Sequence, residues 1–177
     1  DVRADGWARG EAVCTTALKL SDRGNAEVLI SGSAVRQDGR SASLTAPNGQ
    51  AQQGVLTASL ADALLEAGEV AALEAHGTGT SLGDPIEAGA VAAIFLAGRS
   101  ASSGTYAMGS LKANAGHTEP GAGLAGALKL LIQLGGAAFA PNAQLRALSP
   151  HAESALRSVD CTSVPAAPTQ RQERGSS

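Results

Sequence analysis

Aromatic residues make up only 2% of the 177-residue sequence: one Trp, one Tyr and two Phe, against 44% hydrophobic residues and 22 glycines. A core built on large rings is excluded, so packing must come from Ala, Val, Leu and Ile with backbones close together. Cysteine is scarce as well. Cys14 and Cys161 are too few and too far apart for a disulfide framework or a zinc site, which makes a reducing compartment the expectation. No apolar run approaches the roughly 20 residues of a bilayer span. Residues 1–5, Asp-Val-Arg-Ala-Asp, lack the charged-then-apolar layout of a signal peptide. A soluble chain of the cytoplasm or an organelle interior is expected. Basic charge is not in excess either: 13 Lys and Arg against 16 Asp and Glu give a net charge of −3 without any basic cluster. Nucleic acid is therefore not an expected partner.

What is present fits one domain, over residues 1–150, followed by a poorly patterned segment over 151–177 that reads as a flexible tail. Residues 11–20 and 28–35 are apolar and β-rich, and with the turn at 21–25 between them they predict a hairpin. Cys14 then reads as a small hydrophobe inside its first strand. The turn-rich stretch 37–49 predicts a surface loop. Over 52–67 the apolar residues Val55, Leu56, Leu60, Ala63, Leu64 and Ala67 recur at helical spacing, with Gly68 as the C-cap. Residues 70–75 predict a short buried strand. Asp84 and Pro85 supply an acidic cap and a first-turn proline for a helix running to about Leu96.

Residues 106–111 predict a second strand, entering a helix with Leu124, Leu128, Leu131 and Ile132 on one face. Ala122, Gly123, Ala125 and Gly126 mark its first turn as a place of close backbone approach, and Gly135-Gly136 end it. Strands alternating with helices predict an α/β layered fold, in which ligands gather beyond the carboxyl ends of the strands.

Two strand ends carry the chemistry. Glu74-Ala-His-Gly-Thr-Gly-Thr80 places His76 after the first strand, and Lys112-Ala-Asn-Ala-Gly-His-Thr-Glu119 places Lys112 and His117 after the second. Taken singly, each histidine reads equally well as a structural residue, and Lys112 as a solvated charge. Two histidines at equivalent strand ends fit a pair of ring N–H groups aimed at one developing negative charge. A metal site fits poorly, because no third ligand recurs at a suitable interval. A phosphate loop fits poorly too, since the glycines lack the lysine and spacing of a P-loop.

The stretches 74–88 and 109–119 resemble the two histidine motifs of the β-ketoacyl synthase domains of polyketide synthases. Asp5-Gly-Trp-Ala-Arg-Gly-Glu11 is similar to the Asp-Gly-aromatic-x-Arg-Gly-Glu segment of the same family. The resemblance covers about residues 1–151. It implies the thiolase-like fold of two α/β halves in five layers, here incomplete: the end of the first half and most of the second. It implies decarboxylative Claisen condensation of acyl and malonyl-type thioesters, with His76 and His117 promoting decarboxylation and stabilising the enolate. Lys112 would set the electrostatics around His117, supported by Glu119. Thr78 and Thr80 would hold the phosphopantetheine arm of an acyl carrier protein, with no cofactor or metal bound by the chain itself.

The sequence departs from that pattern in its nucleophile. The family's cysteine elbow has no counterpart here, for Cys14 follows the Arg-Gly-Glu segment and Cys161 lies beyond the patterned region. The family's closing Gly-rich segment is absent as well. Three readings follow: a piece of a longer ketosynthase, a decarboxylase-only relative, or a catalytically inactive structural subunit of a larger assembly. Under each, a partner polypeptide is expected to cover the exposed sheet and apolar face.

Overall fold

The computed structural model describes residues 1–20, 28–41, 43, 46–99, 104–136, 139–143 and 145–158. Five α-helices and two strands carry the described chain: α1 (Gly49–Ala63), β1 (Ala72–Glu74), α2 (Gly83–Val91), β2 (Ala107–Gly109), α3 (Lys112–Ala115), α4 (Ala122–Gly136) and α5 (Pro150–Leu156). β1 and β2 pair in parallel, with Ala72, Leu73 and Glu74 opposite Ala107, Met108 and Gly109. Parallel neighbours need a crossover connection, and α2 supplies it. Both strands therefore end on the same edge, and the ladder closes with Ala75 N–H donating to Gly109 O at 2.7 Å.

α2 runs without a break into a π-helical turn, Ala92–Leu96, whose Ala92, Phe95 and Leu96 are buried. Together with Ala88, Val91, Tyr106 and Leu156 they form the core. Phe95 and Tyr106 stack at 5.6 Å between centroids, and Arg99 lies 5.3 Å over the Tyr106 ring while donating to Val70 O at 3.1 Å. Half of the described chain's few rings thus sit in one spot, and small residues fill the remainder.

Several sequence expectations need correction. Residues 11–20 and 28–35 carry no strand; Val13, Leu18 and Leu20 are exposed, because no strand among the described residues offers them a ladder. Cys14 is accordingly half-buried outside any strand. The turn expected at 21–25 lies outside the described residues. α1 ends earlier than Gly68 would dictate: Leu64 adopts the left-handed conformation (φ 57°), and Leu65 N–H closes onto Leu60 O at 3.1 Å. On α4 the buried side is the small and polar one, Ala125, Gly126 and Gln133, while Leu124, Leu131 and Ile132 are exposed. The close approach expected of the first turn occurs at Gly126, where a Cβ would stand 3.0 Å from Glu74 Cγ, but Gly123 faces open space.

The segment after residue 150 is likewise not tail at its start. Ser149 caps α5, its hydroxyl accepting from Ala152 N–H at 3.3 Å, and Leu156 enters the core beside α2. Cys161 and the rest of 159–177 lie outside the described residues. No helix among the described residues is long and apolar enough to cross a membrane.

Candidate active site

Beyond the edge where β1 and β2 end, the two histidines meet. The His76 and His117 rings lie 5.7 Å apart between centroids, edge to face at 89°. His76 is held through its backbone N–H by a carboxylate, and His117 through its backbone and ring nitrogen by neighbouring backbone.

The loop carrying His76 is folded by the first turns of α2. Glu87 accepts the backbone N–H groups of His76 (2.6 Å) and Gly77 (2.8 Å), and Asp84 accepts that of Gly79 (3.1 Å). Gly77 and Gly79 both have positive φ, 48° and 74°, which lets successive N–H groups turn toward these carboxylates. Asp84 thus serves the loop, and the hydroxyl of Thr80 accepts from Gly83 N–H, at the start of α2, at 3.1 Å. Thr78 Oγ1 lies 3.4 Å from Thr80 Oγ1.

His117 is held from two sides. Its backbone bridges to the N-terminal segment: His117 N–H donates to Ala8 O at 2.8 Å, and Gly10 N–H donates to His117 O at 2.9 Å. Its ring Nδ1 accepts the backbone N–H of Glu119 at 3.0 Å. With Nδ1 occupied as an acceptor, the neutral ring carries its hydrogen on Nε2. Glu119 reaches this position with φ 51°, a left-handed conformation that costs a non-glycine residue about 1 kcal/mol. Its carboxylate faces Arg9 at 3.8 Å, so the expected support of Lys112 by Glu119 takes a different form: the backbone of Glu119 supports His117. Trp7 packs on the other side of the His117 ring, 5.7 Å away and tilted by 49°.

Lys112 opens α3, half-buried. Its positive charge is the second of the influences that hold the His76 pKa below the ordinary value of 6.5. Desolvation by the surrounding protein comes first; His117 adds to both, and Glu87 and Asp84 oppose. His76 is therefore a neutral ring at pH 7. Lys112 and Thr78 also line a cavity of about 450 Å³, with Trp7, Ser110, Leu148 and Leu156 among its other walls. The histidines do not contribute to that lining. Among the described residues no group of three or more His, Cys, Asp or Glu is arranged to hold a metal ion.

All six residues expected from the sequence, His76, Thr78, Thr80, Lys112, His117 and Glu119, lie in the two segments that follow β1 and β2 at this edge. Those missed are the ones around them: Asp84, Glu87 and Trp7, with Glu74 and Asn142, whose side chains accept the backbone N–H groups of Leu111 and Ser110. Glu87 follows His76 by 11 residues, an interval that matches no helix or strand period and becomes a contact only once the loop folds back. Trp7 had a signal, as the single tryptophan within the Asp-Gly-aromatic segment.

The β-ketoacyl synthase C-terminal domain model matches residues 28–146. Over 156 residues the chain is 47% identical to the spectinabilin polyketide synthase system protein NorA' of Streptomyces orinoci, covering 85% of this chain and 4% of that one. It is 41% identical over 169 residues to the mycoketide-CoA synthase of Mycobacterium tuberculosis, covering 92% of this chain and 4% of that one. Among solved structures it is similar to the oxazolomycin ketosynthase domain OzmH KS7 of Streptomyces albus JA3453, with a TM-score of 0.66 and 31% identity over 77% of this chain and 23% of that one. It also matches the ketosynthase of module 6 of the bacillaene synthase of Bacillus subtilis 168, with a TM-score of 0.60 and 31% identity over 69% of this chain and 22% of that one. The chain thus spans under a tenth of these curated relatives and about a quarter of these ketosynthase domains. The layered α/β arrangement is that of the thiolase-like ketosynthases, and the chain belongs to the β-ketoacyl synthase family, as part of the C-terminal domain of a polyketide-synthase ketosynthase.

Proposed function

We propose that this chain supplies the decarboxylation side of a ketosynthase site: His76 and His117 together stabilise the enolate formed from a malonyl-type thioester. The observation that carries the reading is the meeting of two imidazoles from adjacent strand ends, one with Nδ1 occupied by Glu119 N–H and the other held neutral. Neutral rings keep N–H groups available as donors and add no competing charge. Preorganised donors of this kind act where negative charge develops, at the thioester oxygen.

The chemistry balances as follows. The bond between the malonyl carboxylate carbon and the α-carbon breaks, CO2 leaves, and the electron pair passes into the enolate, whose oxygen accepts from the two ring N–H groups. The α-carbon then attacks the carbonyl of an acyl thioester, whose thiolate departs. That second step needs an acyl group held on a nucleophilic cysteine. Cys14 lies outside any helix or strand and not at a strand-to-helix turn, so the thiolate is assigned to polypeptide other than these residues.

Lys112 sets the potential around His76. The cavity it shares with Thr78 has a volume suited to a thioester arm, which supports delivery by the phosphopantetheine of an acyl carrier protein. Thr78 is the better hydroxyl for that contact, since Thr80 already accepts from Gly83 N–H.

The test is incubation of the chain with malonyl-loaded acyl carrier protein, following CO2 release and β-ketoacyl product separately. CO2 release above the buffer rate, falling by about 100-fold or more in His76→Ala or His117→Ala, is the expected result, with no β-ketoacyl product. Release indifferent to both substitutions contradicts the enolate role and favours the structural-subunit reading. A β-ketoacyl product from the chain alone contradicts the assignment of the nucleophile elsewhere.

A further inference from the structure

The geometry points to Glu74 as a positioning residue: held in orientation by Lys129, its carboxylate sets the turn carrying Lys112 and His117 against the strand carrying His76. Glu74 ends β1, two residues before His76. Its side chain is 10% exposed and that of Lys129 is 11% exposed. Glu74 Oε2 accepts from Lys129 Nζ at 2.6 Å, and its Oε1 accepts the backbone N–H of Leu111, the residue before Lys112. Two glycines leave the space that this pair fills. A Cβ on Gly126 would stand 3.0 Å from Glu74 Cγ, and one on Gly109 would stand 3.2 Å from Lys129 Nζ.

One carboxylate therefore connects three parts of the site. It belongs to the strand of His76, it binds the start of the Lys112–His117 turn, and it pairs with α4, the helix that follows His117. The ladder bond from Ala75 N–H to Gly109 O ends one residue short of the turn, and His117 is tied to Ala8 and Gly10; further restraints act in a different direction. Asn142 Oδ1 accepts from Ser110 N–H at 2.9 Å, and Asn114 donates to Pro141 O at 3.1 Å and accepts from Ala143 N–H at 3.2 Å. These tie the turn to residues 141–143 rather than to β1. Ser110 Oγ reaches His76 O only at 3.4 Å.

Stability alone is a weak reason for the pair. Withdrawing two charges from water costs about as much as their attraction returns, and apolar side chains of similar volume often serve a fold equally well. What an apolar side chain cannot supply is the acceptor for Leu111 N–H. What the histidines do rests on the ketosynthase reading; how they are held does not.

Two double variants separate the roles. Glu74→Leu/Lys129→Met removes the ion pair and the acceptor, while Glu74→Gln/Lys129→Met removes the ion pair and keeps an acceptor for Leu111. The first readout is the 15N long-range spectrum of the histidine rings in the full 177-residue chain, with His151 on α5 as internal control. The second is the kinetics of CO2 release from malonyl-pantetheine. In the Leu/Met variant the single Nε2–H tautomer of His117 should give way to a mixture, and kcat should fall about tenfold or more at nearly unchanged KM. The Gln/Met variant should keep the wild-type tautomer.

Wild-type ring signals in the Leu/Met variant overturn the proposal, as does equal loss in both variants. Phe95→Leu, a core change remote from the turn, controls for general loosening, and a mixed tautomer there also overturns it. Should the Leu/Met variant fail to fold, the Gln/Met variant decides: a retained tautomer supports the role and a lost one overturns it. A wild-type chain that releases no CO2 sinks the ketosynthase reading and leaves the ring spectra to judge this one.

Discussion

At the residue scale, His76 links the site to pH. Its pKa is depressed in the folded chain, mainly by desolvation and by Lys112, so below the ordinary value of 6.5 the unfolded state takes up a proton that the folded state resists. Stability is therefore unaffected by this group above that value and is lost as pH falls below it. His76→Gln should flatten that acid limb, read as denaturant midpoints compared on either side of the transition; an unchanged slope contradicts the shift. Trp7 offers a second reading, since it is the only tryptophan and lies 5.7 Å from the His117 ring. Its emission should therefore change in His117→Ala relative to the wild-type chain at one fixed pH, and an unchanged spectrum contradicts that packing. The candidate residues stood out in the sequence because His76, Lys112 and His117 follow apolar strands in turn-rich segments. The carboxylates that fix them did not, because Glu87 and Glu74 act through backbone N–H groups that become neighbours only after folding.

At the element scale, two positions break local rules and make separable predictions. Leu64 closes α1 in a left-handed conformation, with a side chain 86% exposed. Leu64→Gly should therefore raise stability by about 0.5–1 kcal/mol, measured by chemical denaturation, with little apolar burial to lose. Gly126 is the opposite case: Gly126→Ala places a methyl against Glu74 Cγ and should cost about 1–3 kcal/mol by overpacking, despite alanine's better helix propensity.

The elements themselves were readable to different degrees. α2, α4, β1 and β2 fall where periodicity and turn residues put them, because each answers to local sequence and a neighbour within the chain. The hairpin expected over 11–35 did not form strands, since the apolar pattern of Val13, Leu18 and Leu20 asks for a pairing partner that the described residues do not supply. α5 was missed because seven residues, Pro150–Leu156, are too few to show a period; only the Ser149-Pro150 start marks it.

At the scale of the whole molecule, the apolar stripe of α4 faces outward, with Leu131 38%, Ile132 76% and Leu134 63% exposed. Val13 and Leu20 are fully exposed besides. Exposed apolar surface of that kind, among the described residues, favours association. The isolated chain should therefore associate or bind apolar dyes, and sedimentation that shows a monodisperse monomer with cooperative melting contradicts this. The sequence announced the stripe correctly as a helix face but not its direction: the sheet-facing side of α4 is chosen by Gly126, which alone admits Glu74.

The central claim is that His76 and His117 act on one oxyanion as a unit, and a double-mutant cycle on CO2 release from a malonyl thioester tests it most directly. If the rings share one enolate oxygen, His76→Ala and His117→Ala each lose nearly as much rate as the double variant, so the effects are far from additive. Losses that multiply independently, or a single substitution that leaves the rate intact, would contradict the account.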